Sequence, residues 1–383
     1  MDSNLTDVVY IPGFSNASLD AGQPSAAPHV PMLCTSVGEF YDYFGYSPAT
    51  FVDAQEYPAA FSAEAVPAGM NMFEAGDADP SYVYAIYLLR QGLPVMYERV
   101  NTVSNPDSPS YDVSVKDMYE YLSKTCYKVD GTLADRGLSI KYLTSGGYPT
   151  YEYDKPISGA TRSPGSVVLQ MAKLCESRGD CVALIDHTNN ASRPLTGSTS
   201  VFSMINGQGG FPQGDDSDLF AAMFTPWANY AISEYNDSST MQLPGSFAYL
   251  MSLANSLRTN ANFLAVAGVA RGQVPLLGSL NTAQKLTNAI ADGYQHSDTL
   301  QDYGTSINAI TYINGYGYCI WGNRTLRVSR GNRSGTAMGY LNLRNMVSDI
   351  KKQAFSAAQS LLFEQNTDIL WLNFKAEITP LLD

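Results

Sequence analysis

Residues 315–326 read Gly-Tyr-Gly-Tyr-Cys-Ile-Trp-Gly-Asn-Arg-Thr-Leu, an aromatic strand that runs straight into a turn opening a line of arginines. Ala309–Tyr312 just before it is a second short strand, and Asn314-Gly315 between the two has hairpin-turn chemistry. Downstream, residues 341–363 place Leu343, Met346, Val347, Ile350, Ala354, Ala357, Leu361 and Leu362 at helical spacing. Such an amphipathic helix is expected to turn that stripe toward a core.

Upstream of the hairpin the chain alternates helix and strand. Residues 8–14 (VVYIPGF) and 30–34 (VPMLC) read as strands. A helix follows the second, with Thr35 or Ser36 as cap, Glu39 in its first turn and Gly45 as its stop. Residues 80–100 predict a helix broken at Gly92 and then a strand from Pro94 to Val100. Helices are expected at about 113–126 and 164–178, with a strand at Leu138–Thr144 between them. Cys181-Val-Ala-Leu-Ile185 is a continuous apolar run of the kind buried on both faces of a parallel sheet. Phe220–Trp227 and Ala228–Ile232 read as strand, Pro244–Asn255 as helix, and 256–283 as Gly-rich and irregular. Residues 188–217 have loop composition. The pattern predicts an α/β protein with a boundary near 285–305.

The 383 residues suffice for about two domains, and 45% hydrophobic with 15% charged residues is ordinary globular composition. A net charge of −13 argues against nucleic acid as a partner, and no apolar run is long enough to span a bilayer. Five scattered cysteines, Cys34, Cys126, Cys175, Cys181 and Cys319, form neither a disulfide framework nor a zinc pattern, and fit a reducing compartment.

Catalytic patterns are sparse. The three histidines, His29, His187 and His296, sit in no metal-binding spacing, and there is no GxSxG, GxGxxG or Walker signature. Asp186-His187 ends the buried CVALI strand, where α/β folds place functional groups; a hydrolase using that pair is one reading, a strand-end Asp bonded to loop amides the other. Asp215, Asp216 and Asp218 have calcium-ligand chemistry, or are solvated charge. No cofactor is implied. Charge distribution says more: residues 1–100 carry a dozen acids against Arg90 and Arg99, whereas Arg324, Arg327, Arg330, Arg333, Arg344, Lys351 and Lys352 face Asp349 alone between 324 and 352. An acidic front and basic rear suit head-to-tail packing with copies of the same chain; a scatter of solvated charge around one basic loop is the alternative.

The order of these motifs resembles the sheath protein of contractile bacteriophage tails and related injection machines. GYGYCIWGNRTL is similar to that family's Trp-Gly-x-Arg-Thr-Leu turn, here Trp321, Gly322, Arg324, Thr325 and Leu326. Tyr340-Leu-Asn-Leu-Arg344, the helix to Phe363, Glu364-Gln-Asn366 and Leu370-Trp371 resemble its following segment. So do Asp186 after its strand, Thr225-Pro226-Trp227 before Tyr230, and VPMLCTSVGEFYDYFG near the start.

The resemblance implies a subtilisin-like α/β layer used as a scaffold without catalytic residues, an outer domain over 1–290, and a smaller α+β inner assembly domain over 300–383 that is C-terminally truncated. The strand Tyr316–Trp321 would lie in the inner domain, whose sheet accepts strands from neighbours. Trp321 would anchor the core, and the seven cations named above would contact a neighbouring subunit or the tail tube, with Arg324 the leading candidate. The implied protein is a structural, non-enzymatic virion subunit, assembled in the bacterial host cytoplasm. It would polymerise helically with itself around the tail tube protein, meet baseplate and tail terminator proteins, and contract. Because the family continues beyond both ends seen here, a core fragment lacking terminal arms is expected. A non-contractile virion or adhesion protein shares the same acidic, Tyr-rich character.

Overall fold

The computed structural model describes residues 7–15, 26–45, 79–100, 118, 121–147, 167–186, 216–232, 240–259, 263–280, 307–327, 336–359 and 361–382. The first strand, β1 (Val9–Gly13), is an unbroken apolar run because it is buried on both faces. Val9 and Ile11 point into one core, Val8 and Tyr10 into the other. The run ends at Gly13, where a Cβ would lie 1.9 Å from the Ser81 hydroxyl and 2.0 Å from that of Tyr97. Only glycine lets the strand end pass that close to the neighbouring helix.

After β2 (Pro31–Cys34), helix α1 (Val37–Phe44) begins as its capping residues dictate. The Glu39 amide donates to Ser36 Oγ, while the Thr35 amide and hydroxyl donate back to Glu39 Oε2 at 2.6 and 2.8 Å. Gly45 stops the helix at φ 79. Helix α2 (Pro80–Arg90) starts on Asp79, whose carboxylate accepts from the Ser81 amide and, at 2.7 Å, from the Phe14 amide. One acid thus caps the helix and fastens the end of β1 to it.

Strands β3 (Val95–Arg99), β4 (Tyr142–Leu143), β5 (Val182–Asp186), β6 (Ala221–Thr225), β10 (Ile307–Ile313) and β11 (Gly317–Trp321) join β1 and β2 in an eight-stranded sheet of order β11-β10-β6-β5-β4-β1-β3-β2. Its six inner strands are mutually parallel, and β2 and β11 close the edges antiparallel. Helices α2 and α4 (Gly245–Leu257) pack on one face and α3 (Val167–Arg178) on the other. A second, three-stranded sheet of order β8-β7-β9 is made by β7 (Ala228–Tyr230), β8 (Met241–Leu243) and β9 (Leu277–Leu280). The short turn α5 (Gly268–Arg271) precedes β9, in a stretch whose glycines suggested no regular structure. The chain then continues as α6 (Leu341–Gln359) and α7 (Asp368–Leu382).

Two expectations change. The smaller sheet comes from residues 228–280, whereas the described chain after Tyr340 is helical, so no separate C-terminal α+β sheet is present among the described residues. The hairpin β10–β11 instead extends the large sheet through parallel pairing of β10 with β6. The outer edge of β11 is already covered: the Ile320 amide donates to Gly272 O at 2.7 Å and the Val274 amide to Tyr318 O at 2.9 Å. That edge is closed to an incoming strand in this conformation. The helix expected at 113–126 is a π turn at Leu122–Cys126, its earlier part lying mostly outside the described residues, as do 188–215 and the 285–305 boundary.

Candidate assembly surface

The helical spacing of 341–363 is correct, but the helix is turned over. The buried residues of α6 are Leu341, Arg344, Asn345 and Ser348, at the i, i+3, i+4, i+7 positions of one stripe, with Ala357 of the expected stripe buried further along. Leu343, Met346, Val347 and Ile350 are only half-buried. Polar contacts hold the helix in this orientation. The Arg344 guanidinium lies 3.9 Å from the Phe220 ring centroid and donates to Gly179 O at 3.2 Å. Asn345 Nδ2 donates to the Tyr142 and Tyr249 hydroxyls at 3.0 and 3.3 Å. Lys141, 1% exposed, donates to Asp7 at 2.6 Å and to Asp349 at 2.8 Å, tying α6 to the starts of β1 and β4. Lys352 Nζ donates to Ile140 O at 2.7 Å.

Charge on this face is costly to hold, and the titration directions say so. Burial pulls the Arg344 and Lys352 pKa values down. It pushes the Asp349 carboxyl up even though Lys141 pulls it the other way. A helix docked by its polar stripe leaves an apolar stripe without a core to enter.

Helix α7 continues that surface. It packs chiefly on α6, with Leu370, Phe374 and Ile378 as its half-buried stripe. Leu362, Phe363, Ile369, Trp371 and Leu372 are exposed by 61% (Trp371) to 103% (Phe363), and Phe355 of α6 by 46%. Phe363 also has φ 70, the left-handed region that a bulky side chain occupies at a cost of ~1–2 kcal/mol. These exposed side chains are large and apolar, the kind that folded chains cover where a partner is present.

The predicted cations fall in different places. Arg324 stacks its guanidinium 4.3 Å from the Tyr340 centroid, and its amide donates to Asn308 Oδ1 at 2.8 Å. Arg327 donates to Asp218 at 2.8 Å and to Asp216. Two of the three candidate calcium acids therefore serve an internal ion pair, and Asp215 lies outside the described residues. Arg344 and Lys352 are turned inward as above. Lys351 is exposed, and Arg330 and Arg333 lie outside the described residues. Trp321 is half-buried against the sheet core, as an anchor would be.

Asp186 accepts from the Ser246 amide at 2.8 Å and from its hydroxyl at 2.6 Å, so it holds the start of α4 against β5. Burial pushes its pKa up to about 7. His187 is outside the described residues. Among the described residues, no group of three or more His, Cys, Asp and Glu side chains could hold a metal, and no helix is long and apolar enough to cross a membrane.

No protein-family profile matches the sequence, and no curated protein matches it. Solved structures do match the fold. A chain of the extracellular contractile injection system PVC sheath complex in its contracted state superposes with a TM-score of 0.54 at 13% identity, covering 98% of this chain and 74% of that one. A chain of the anti-feeding prophage helical sheath, also contracted, gives 0.51 at 14% identity over 99% and 77%. A chain of the contracted anti-feeding prophage baseplate gives 0.56 at 18% over 99% and 78%. The chain has the fold found in contractile sheath and baseplate assemblies. This corrects the expectation of a subtilisin-like scaffold: alternating helices and buried strands specify a wound parallel layer, a pattern that does not by itself choose among the folds built on one.

Proposed function

We propose that this chain is a structural subunit of a contractile injection machine, either of its sheath or of the sheath-like layer at its baseplate. It associates with further copies of itself through the α6–α7 surface. The observation that carries this reading is the uncovered apolar surface of α7 on a chain whose fold, over nearly its whole length, is that of subunits in such assemblies. In this reading the exposed Lys351 and the stacked Arg324 lie at the rim and set register. Arg327, Arg344 and Lys352 act through the chain's own packing. A phage tail sheath that contracts around a tube is the most specific form of the proposal. Two packings of the same subunits that differ in free energy would then drive the motion without nucleotide.

Sedimentation velocity across a concentration series, with negative-stain microscopy of the same samples, tests it. Wild-type chain is expected to form ordered tubes, rings or defined oligomers, and a Trp371→Glu/Leu372→Glu chain to remain monomeric with unchanged circular dichroism. A wild-type chain that stays monomeric at high concentration, or a double variant that assembles equally well, overturns the assignment of this surface.

A further inference from the structure

Cys175 near the end of α3 and Cys181 just before β5 face each other across the Gly179–Asp180 bend that follows the helix, with their sulfurs 3.3 Å apart. All five cysteines are free, and no other pair of them is in sulfur–sulfur contact among the described hydrogen bonds. We propose that these two thiols are a built-in disulfide site, closed by a small-molecule disulfide once the folded chain meets an oxidising medium.

The surroundings favour the reaction and give it a consequence. Gly179, at φ 72, lets the chain reverse between helix and strand so that both side chains turn inward to the same point. Bringing two sulfurs into contact before reaction removes most of the positional cost of bond formation. Two guanidiniums lie close enough to interact electrostatically with the thiols: Arg178, held by Asp180 and by Leu133 O, Asp135 O and Leu138 O, and Arg344, whose Nε–H is buried without a partner. Burial and the adjacent Cys181 push the Cys175 thiol up against the pull of Arg178, so the geometry prepares the pair and attack waits on local opening that admits water. The sulfurs are buried, yet Cys175 lies in the last turn of α3, where Ser177 is exposed, so reagent enters by fraying of that helix end.

The electrons balance in two exchanges. One protein thiolate attacks a sulfur of the small disulfide RSSR, forming a mixed disulfide and releasing RS⁻, which takes up the proton lost by that thiol. The second protein thiolate then attacks the protein sulfur of the mixed disulfide, forming the Cys175–Cys181 bond and releasing the second RS⁻. Two protein thiols are oxidised and one RSSR is reduced to two RSH. The bond fixes the turn on which α6 rests, because Arg344 donates to Gly179 O within it. Oxidation therefore locks the base of the α6–α7 surface, whether or not that surface joins copies of the chain.

The test uses native chain treated with oxidised glutathione, then blocked with iodoacetamide in denaturant and digested with trypsin. The expected product is the cross-linked pair of peptides 174–178 and 179–258, since trypsin does not cut between Arg193 and Pro194, while Cys34, Cys126 and Cys319 stay alkylated. The oxidised chain is expected to melt about 3 °C higher, a gain absent from Cys175→Ser and Cys181→Ser. Full alkylation of both cysteines after treatment overturns the proposal. So does a cross-link that forms only in denaturant, or one that joins either cysteine to another partner. Sedimentation of the oxidised chain reads the assembly proposal separately.

Discussion

Asp186 ends β5 with both carboxylate oxygens engaged by Ser246, in a site buried enough to lift its pKa from 3.8 to about 7. The folded chain thus binds this proton more tightly than the unfolded chain does. The resulting stabilisation is complete below the unfolded value near 4, shrinks as pH rises, and is gone above about 7. Asn is isosteric: its amide oxygen can accept from the Ser246 amide, and its NH2 can donate to the Ser246 oxygen after that hydroxyl rotates. Asp186→Asn is therefore expected to flatten the fall in melting temperature between pH 5 and pH 8. A variant whose pH profile parallels wild type would show that Asp186 does not carry the dependence. The sequence raised the bland reading of this residue, a strand-end acid bonded to nearby amides, beside a catalytic one. What it could not supply was the partner, because Ser246 lies far along the chain and reaches Asp186 only through packing of α4 on the sheet.

At the scale of elements, docking of α6 turns on Lys141, whose ammonium joins Asp7 and Asp349 at 1% exposure. Lys141→Met would leave two carboxylates facing each other without their cation, and is expected to lower unfolding free energy by about 3–5 kcal/mol in urea titration. Asp349→Asn, which leaves Lys141 paired with Asp7, is expected to cost less. Near-equal losses, or a loss under about 1 kcal/mol for Lys141→Met, would mean that the triad does not hold the helix. Most elements were legible because local chemistry sets them: Ser36 and Gly45 bound α1, Asn314-Gly315 turns the hairpin, and the VALID run is a strand buried on both faces. The orientation of α6 was not. Its apolar stripe is real, but Arg344 and Asn345 find specific partners outside the helix, while Ser348 bonds back to Arg344 O within it, and hydrophobic periodicity carries no information about such partners. The exposure of α7 had a signal in Ile369, Leu370, Trp371 and Leu372, which leave its first turn apolar on every side.

For the whole molecule, the net charge of −13 and the apolar α6–α7 surface make opposite demands on association. If copies join through the apolar surface, like charge on the rest of the chain resists their approach, and screening it should strengthen assembly. If instead the cations between residues 324 and 352 join an acidic face of a neighbour, screening should weaken assembly. Internal pairing argues for the first case. Arg327 is committed to Asp216 and Asp218, Arg344 and Lys352 point into the chain, and of the described cations in that stretch Lys351 is the exposed one. Raising salt from about 0.05 to about 0.5 M, which shortens the screening length from roughly 14 to 4 Å, is expected to shift the oligomer distribution upward in sedimentation velocity. Acidification toward pH 5.5 should act in the same direction by reducing net negative charge, and should also stabilise the fold, since burial raises the pKa of Glu98, Asp186 and Asp349 alike. His29, whose pKa burial and Arg99 lower, works the other way in this range, whereas Glu39, held down by its Thr35 hydrogen bonds, stays ionised. Dissociation on adding salt would move the interface from the apolar stripe of α6–α7 to the basic segment that precedes it.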